Sequence, residues 1–159
     1  MKKLFKNSIC ALLFACALVL ASCTAENQQI DVSAKELSDA IFESFEFPAM
    51  YNVPTDELMA EFAVSGENFS DVSAFTTEEP YGIERVFFGI VKKDADNATA
   101  KAQLENYFQL IKNQSANYDP VEFAKAEDAY VFEKGNLICL VICEDSAKAL
   151  ETVKEIINK

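Results

Sequence analysis

Ala129-Tyr130-Val131-Phe132-Glu133-Lys134-Gly135-Asn136-Leu137-Ile138-Cys139-Leu140-Val141-Ile142-Cys143 is the stretch that decides the fold. Two runs rich in apolar, aromatic and β-branched residues flank Gly135-Asn136, a two-residue loop of the kind that closes a β-hairpin. The register this loop implies pairs Phe132 with Cys139 and Tyr130 with Val141 on one face. On the other it pairs Val131 with Leu140 and Ala129 with Ile142. Both faces of 137–143 are apolar, so the spacing predicts a central strand covered on each side.

Working outward, Asp145 or Ser146 is placed to cap a last helix whose stripe is Leu150, Val153, Ile156 and Ile157. Upstream, Asp119-Pro120 reads as a single capped turn. Before it, Asp96 or Asn97 caps a helix to about Lys112, with Ala100, Leu104, Tyr107, Phe108 and Ile111 on one face. Residues 83–92 form an apolar strand and 71–77 a weaker one, joined by a turn at 78–82 that contains Pro80. Nearer the start, Ser33-Ala34-Lys35-Glu36 is a capping box. The helix it opens carries Leu37, Ile41 and Phe45 at helical spacing and stops at Pro48. A second short helix is expected from Thr55, with Asp56 and Glu57 favourable at its N-terminus and Leu58, Met59 and Phe62 as its apolar positions. A loose repeat emerges, hairpin then helix, twice. The expected architecture is α+β and two-layered: a four-stranded antiparallel sheet with the two long helices on one face. The N-terminal helices, or a second subunit in a dimer, would cover the other face.

The first residues have a different character. Lys2, Lys3 and Lys6 precede an apolar run over 9–20, which ends in Leu20-Ala21-Ser22-Cys23. Twelve apolar residues span roughly 18 Å as a helix, short of the ~30 Å hydrocarbon core, so the run reads as a secretory signal and not as a membrane span. Small residues leading directly into cysteine resemble the lipobox of bacterial lipoproteins. That resemblance implies cleavage before Cys23, a diacylglycerol thioether and further acyl chains such as palmitate on that residue, and residence on the extracytoplasmic face of a bacterial membrane. The expected organisation is therefore signal peptide 1–22, lipidated Cys23 and tether 23–32, and a single α+β domain 33–159. The polar segment 24–31 reaches at most about 28 Å when extended, which keeps the domain close to the membrane.

Removing 1–22 leaves 137 residues and takes away three of the 14 basic residues but none of the 26 acidic ones, giving 11 − 26 = −15. A chain so acidic is a poor match for nucleic acid, whose phosphates need clustered Lys and Arg. Histidine is absent, which removes Ser-His-Asp and Cys-His catalysis and the commonest zinc ligands. No nucleophile and base are gathered by any motif, so the chain does not read as an enzyme, and no cofactor or metal is indicated. Cys139 and Cys143, about 13 Å apart along a strand, are beyond disulfide reach and read as small buried hydrophobes. Asp94, Asp96 and Glu105 superficially match a calcium loop, but Thr99 occupies the position that needs glycine, and a helix cap explains the same residues. Glu78-Glu79 reads as turn charge.

The segment Phe42-Glu43-Ser44-Phe45-Glu46-Phe47-Pro48-Ala49-Met50-Tyr51 is dense in aromatics. It reads either as a corner that plugs the open sheet face or as an exposed patch of Phe47, Met50 and Tyr51 that receives a partner. The layout as a whole resembles a family of small bacterial lipoproteins built on a domain of unknown function (numbered, in words, four-three-five-eight). The matching elements are the lipobox, Ala34-Lys35-Glu36-Leu37, Glu57-Leu58, Ala74-Phe75, Val91-Lys92-Lys93-Asp94, Tyr118 and Lys134-Gly135-Asn136-Leu137. The resemblance implies fold and location, and brings no activity or catalytic residues with it. The expected role is a lipid-anchored interaction or accessory module that meets an unknown protein at the cell surface. The alternative is a small-ligand-binding lipoprotein ancillary to a transporter.

Overall fold

The C-terminal hairpin forms as its loop dictates. In a computed structural model that describes residues 29–159, Gly135 takes a φ of 58°, the positive value a two-residue hairpin loop demands of its first residue. Residues 1–28, and Cys23 with them, lie outside the described residues. The hairpin strands are β4 (Phe132–Lys134) and β5 (Leu137–Ile142). Phe132 pairs with Cys139 as expected, but the ladder stops there, and 129–131 continue without strand pairing. All six residues of β5 are buried.

Three further strands complete the sheet: β1 (Met50–Asn52), β2 (Phe69–Thr77) and β3 (Arg85–Val91). The order is β1-β2-β3-β5-β4, antiparallel throughout. The sheet thus has five strands where four were expected. The extra one, β1, is a three-residue edge between Pro48 and Pro54, too short for alternation to reveal.

Among the described residues there are five α-helices, α1 (Ala34–Ser44), α2 (Leu58–Glu61), α3 (Asn97–Tyr118), α4 (Pro120–Glu127) and α5 (Ser146–Ile156). Their caps follow the sequence. Ser33 and Glu36 complete the capping box of α1, and Asp96, Asp119 and Asp145 cap α3, α4 and α5. Helix α3 runs six residues past the expected stop at Lys112, and Asp119-Pro120 opens a helix of 8 residues instead of one turn.

The expected layering is corrected in one respect: the two long helices lie on opposite faces. Ala100, Leu104, Phe108 and Ile111 of α3 pack with Phe87, Ile138, Leu140 and Ile142, joined by Leu58 and Phe62 from the α2 segment. Ala149, Leu150 and Val153 of α5 pack with Leu37 and Ile41 of α1 against Val86, Phe88, Cys139 and Val141. The cause lies in β3 and β5, where both sets of alternating residues are apolar. A helix of 11 residues such as α1 is only about 16 Å long and cannot dry a sheet face alone. Each face therefore takes a long helix, giving three layers.

Both clusters are built around phenylalanine. Phe87 meets Phe62 and Phe69 at ring-centroid distances of 5.3 and 5.4 Å on the α3 face. Phe42 meets Phe47 and Phe75 edge-on at 4.9 and 4.8 Å on the other. The packed body reaches back to Ile30, whose side chain is buried and whose N–H donates to Asn136 Oδ1 at 2.9 Å. No described helix is long and apolar enough to cross a membrane.

Candidate functional site

The chain enters this fold at one end of the sheet. Ile30 sits on the β4–β5 hairpin loop through Asn136, and the Asp71 carboxylate accepts the N–H of Ala34 at 2.7 Å, latching the start of α1. Asn97, at the start of α3, donates to the carbonyl of Gly135 in that same loop. These contacts define an entry pole. From it β3 runs back toward Arg85, about 20 Å away at strand rise. Helix α3, of 22 residues, covers about 33 Å in the same sense.

At the far pole a cleft of about 630 Å³ opens between the β2–β3 turn, the C-terminal turn of α3 and the start of α4. Tyr81, Ile83 and Arg85 line one side, and Ile111, Tyr118 and Glu122 the other. Tyr81 and Tyr118 are both 87% exposed, and the neighbouring Val121 is 72% exposed. Large side chains left this open are the most conspicuous apolar feature of the described surface.

Beneath the cleft the polar groups are tied to one another. Lys125 Nζ lies 2.5 Å from Glu84 Oε1 and 2.6 Å from Glu122 Oε1, with all three side chains at least 86% buried. Glu122 Oε2 accepts the N–H of Ile83. Desolvation draws the Lys125 ammonium down, but its hydrogen bonds to Glu122 and Glu84 outweigh this and hold its pKa above the ordinary lysine value. Glu84 Oε2 is buried without a hydrogen-bond partner. Arg85 is occupied as well: Nε donates to Tyr107 Oη at 3.0 Å and Nη1 to the carbonyl of Glu84 at 2.8 Å. Burial pushes the Tyr107 phenol up, with Arg85 pulling the other way.

The aromatic corner singled out in the sequence lies elsewhere, on the β1 edge. Phe47 and Met50 are half-buried against the α1–α5 core, and Tyr51 is 38% exposed. Tyr51 Oη donates to Glu57 at 2.8 Å, which raises the phenol pKa. Cys139 and Cys143 are free and buried. Burial lifts the Cys139 thiol to about 12 and the Cys143 thiol above its ordinary value. Asp96 accepts from Ala98 N–H and Thr99 Oγ1 as a helix cap. Among the described residues no His, Cys, Asp and Glu side chains are gathered as a metal site.

The distal cleft escaped sequence reasoning because it is assembled from 80–85 and 111–122, neither of which carries a motif. Tyr118 gave no signal, because it keeps the helical phase of Ala100 and Ile111 and is exposed only through its place at the end of α3, directly before the Asp119-Pro120 cap. No family model, no curated protein and no solved structure matches the chain.

Proposed function

We propose that this chain is a lipid-anchored, extracytoplasmic bacterial protein that acts as a non-enzymatic interaction module. Cys23 holds it at the membrane, and the cleft between Tyr81 and Tyr118 is its docking surface. The observation that carries this reading is the opposition of the two poles. Ile30, the first buried residue among those described, is fixed at one end of the strands, and the exposed tyrosines stand at the other. Seven residues from Cys23 to Ile30 extend at most about 25 Å, so the entry pole faces the membrane and the cleft faces away. The resemblance to small bacterial lipoproteins fits the same picture, and membership in that family is part of the proposal.

Growth with a labelled fatty acid tests the anchor. The wild-type chain is expected to take up label and a Cys23→Ala chain none, and labelling of the variant would overturn it. Cross-linking in intact cells tests the docking surface. Capture of a partner is expected to fall when Tyr81 and Tyr118 are both replaced by serine, with thermal stability unchanged. The β1 corner with Phe47, Met50 and Tyr51 is the competing surface, and capture lost only on Tyr51→Ser would favour it. A second reading, small-ligand carriage beside a transporter, draws support from the cleft volume of about 630 Å³, within the usual range of small-molecule sites. It predicts a thermal shift with a metabolite in place of protein capture.

A further inference from the structure

We infer that the distal cleft recognises a cationic polypeptide segment, one that presents arginine or lysine side chains to the faces of Tyr81 and Tyr118. The inference rests on the docking surface proposed above and names the chemistry of its partner.

Charge is the first argument. Asp119 and Glu122 line the cleft against Arg85, and Glu78 and Glu79 lie on the adjoining turn, which makes 1 − 4 = −3, while Glu84 and Lys125 pair off beneath it. Both cations are engaged internally, whereas Glu78 and Glu79 are exposed on the turn that carries Tyr81. The negative potential of a chain with 11 − 26 = −15 beyond the signal adds to this local field and draws cations toward it.

The aromatic faces are the second argument. Elsewhere the chain covers its own rings with lysine. Lys112 lies 5.7 Å from the centre of the Phe108 ring, and Lys154 lies 5.8 and 5.7 Å from those of Tyr130 and Phe132. Among the described residues no cation stands over Tyr81 or Tyr118. A ring face beside carboxylates attracts a guanidinium or ammonium, modestly at each exposed ring and more as the bound segment excludes water.

A sugar is the other ligand that favours open tyrosines. Sugar recognition needs directional hydrogen-bonding groups left unused by the protein. Here Glu122 is bonded through both oxygens, Asp119 Oδ1 accepts from Val121 and Glu122, and Ser115 Oγ donates to the carbonyls of Ile111 and Lys112. Asp119 Oδ2, the Gln114 amide and the hydroxyls of Tyr81 and Tyr118 stay free of side-chain hydrogen bonds among the described residues. Charge and π surface favour the cation, and the maltotriose arm of the test decides against the sugar.

The test uses the full chain purified from membranes in a neutral detergent. Calorimetric titration compares an acetylated, amidated tri-arginine peptide with its neutral tri-citrulline counterpart and with maltotriose. Saturable binding of the arginine peptide is expected, about ten-fold or more tighter than the citrulline one, and weaker in high salt. Tyr81→Ala and Tyr118→Ala should each weaken it by about three-fold or more, and the Glu78→Gln, Glu79→Gln double variant should do likewise. All four positions are exposed, so unchanged thermal melting verifies folding. Equal binding of the two peptides, no saturable binding, binding indifferent to the tyrosines, or saturation by maltotriose alone would overturn the inference. The measurement is blind to lipid on Cys23. Failed peptide binding with intact fatty-acid labelling therefore removes the partner chemistry alone, and failed labelling with intact binding removes only the anchor.

Discussion

Ala63 is the non-glycine residue with positive φ among the described residues, at 55°. It follows Phe62, the C-cap of α2, where helices commonly end on a left-handed glycine. Phe62 and Val64 on either side are fully buried, so their packing forces the backbone between them into this conformation. An L side chain there costs about 1 kcal/mol, and Ala63 itself is exposed. Ala63→Gly is thus expected to raise stability by up to about 0.5 kcal/mol, the relief slightly outweighing the added freedom of the unfolded chain. Chemical denaturation with an unchanged m-value is the check, and a destabilised variant would refute the explanation. The thiols make the opposite case. Cys139 and Cys143 are held neutral by burial, and their chemistry in the folded chain is that of small apolar groups.

Strand β3 shows how one position can set the pairing of a whole element. Gly89 lies on its α3 face, where an added Cβ would stand 2.5 Å from the Phe69 ring and 3.0 Å from the Phe87 ring. Phe69 therefore lies across bare backbone, next to the irregularity between Phe69 and Asp71 where β2 shifts register. Gly89→Ala must displace that ring from a packed site, at a cost of about 1–3 kcal/mol. Thermal unfolding measures this, and Gly89→Ala with Phe69→Leu should recover part of the loss. Most elements were legible in the chain because their signals are local. Ser33, Asp96, Asp119 and Asp145 are caps within three residues of the amides they bind, and Gly135-Asn136 sets its register alone. Strand β1 was not legible, since three residues carry no period. The side taken by each long helix was not legible either. It depends on β3 and β5 lying adjacent and needing cover on both faces, which is a fact of three dimensions. The cleft is of the same kind: Glu84 and Lys125 meet across 41 positions of sequence.

For the molecule as a whole, the Glu84–Lys125–Glu122 group fastens the far pole, tying α4 to the entrance of β3. Lys125→Met leaves two buried carboxylates facing each other and should cost about 3 kcal/mol, most of which returns when Glu84→Gln and Glu122→Gln are added. The pH dependence follows from the raised pKa of Lys125. Its contribution is complete below the ordinary value of 10.5 and is lost as pH rises through the higher folded value. The stability gap between wild type and Lys125→Met should therefore hold steady through neutral pH and close only in strong alkali. A gap that closed near neutrality would contradict the assignment. The latch at Ile30 has a mechanical consequence. Along α1, Ala34 is held by Asp71, Ser38 Oγ lies 2.8 Å from Ser73 Oγ, and Phe42 packs on Phe75, so the helix runs beside β2 from the entry pole toward the cleft. Tension between an acylated Cys23 and a partner at the far pole would act along that axis. It would load α1 against the sheet in shear, with these contacts sharing the strain at once instead of parting one by one as in peeling. Pulling in single-molecule force spectroscopy from the N-terminus against a handle at Tyr81 should give one high rupture peak, and Asp71→Ala should lower it. A staircase of small events would show that the tether peels.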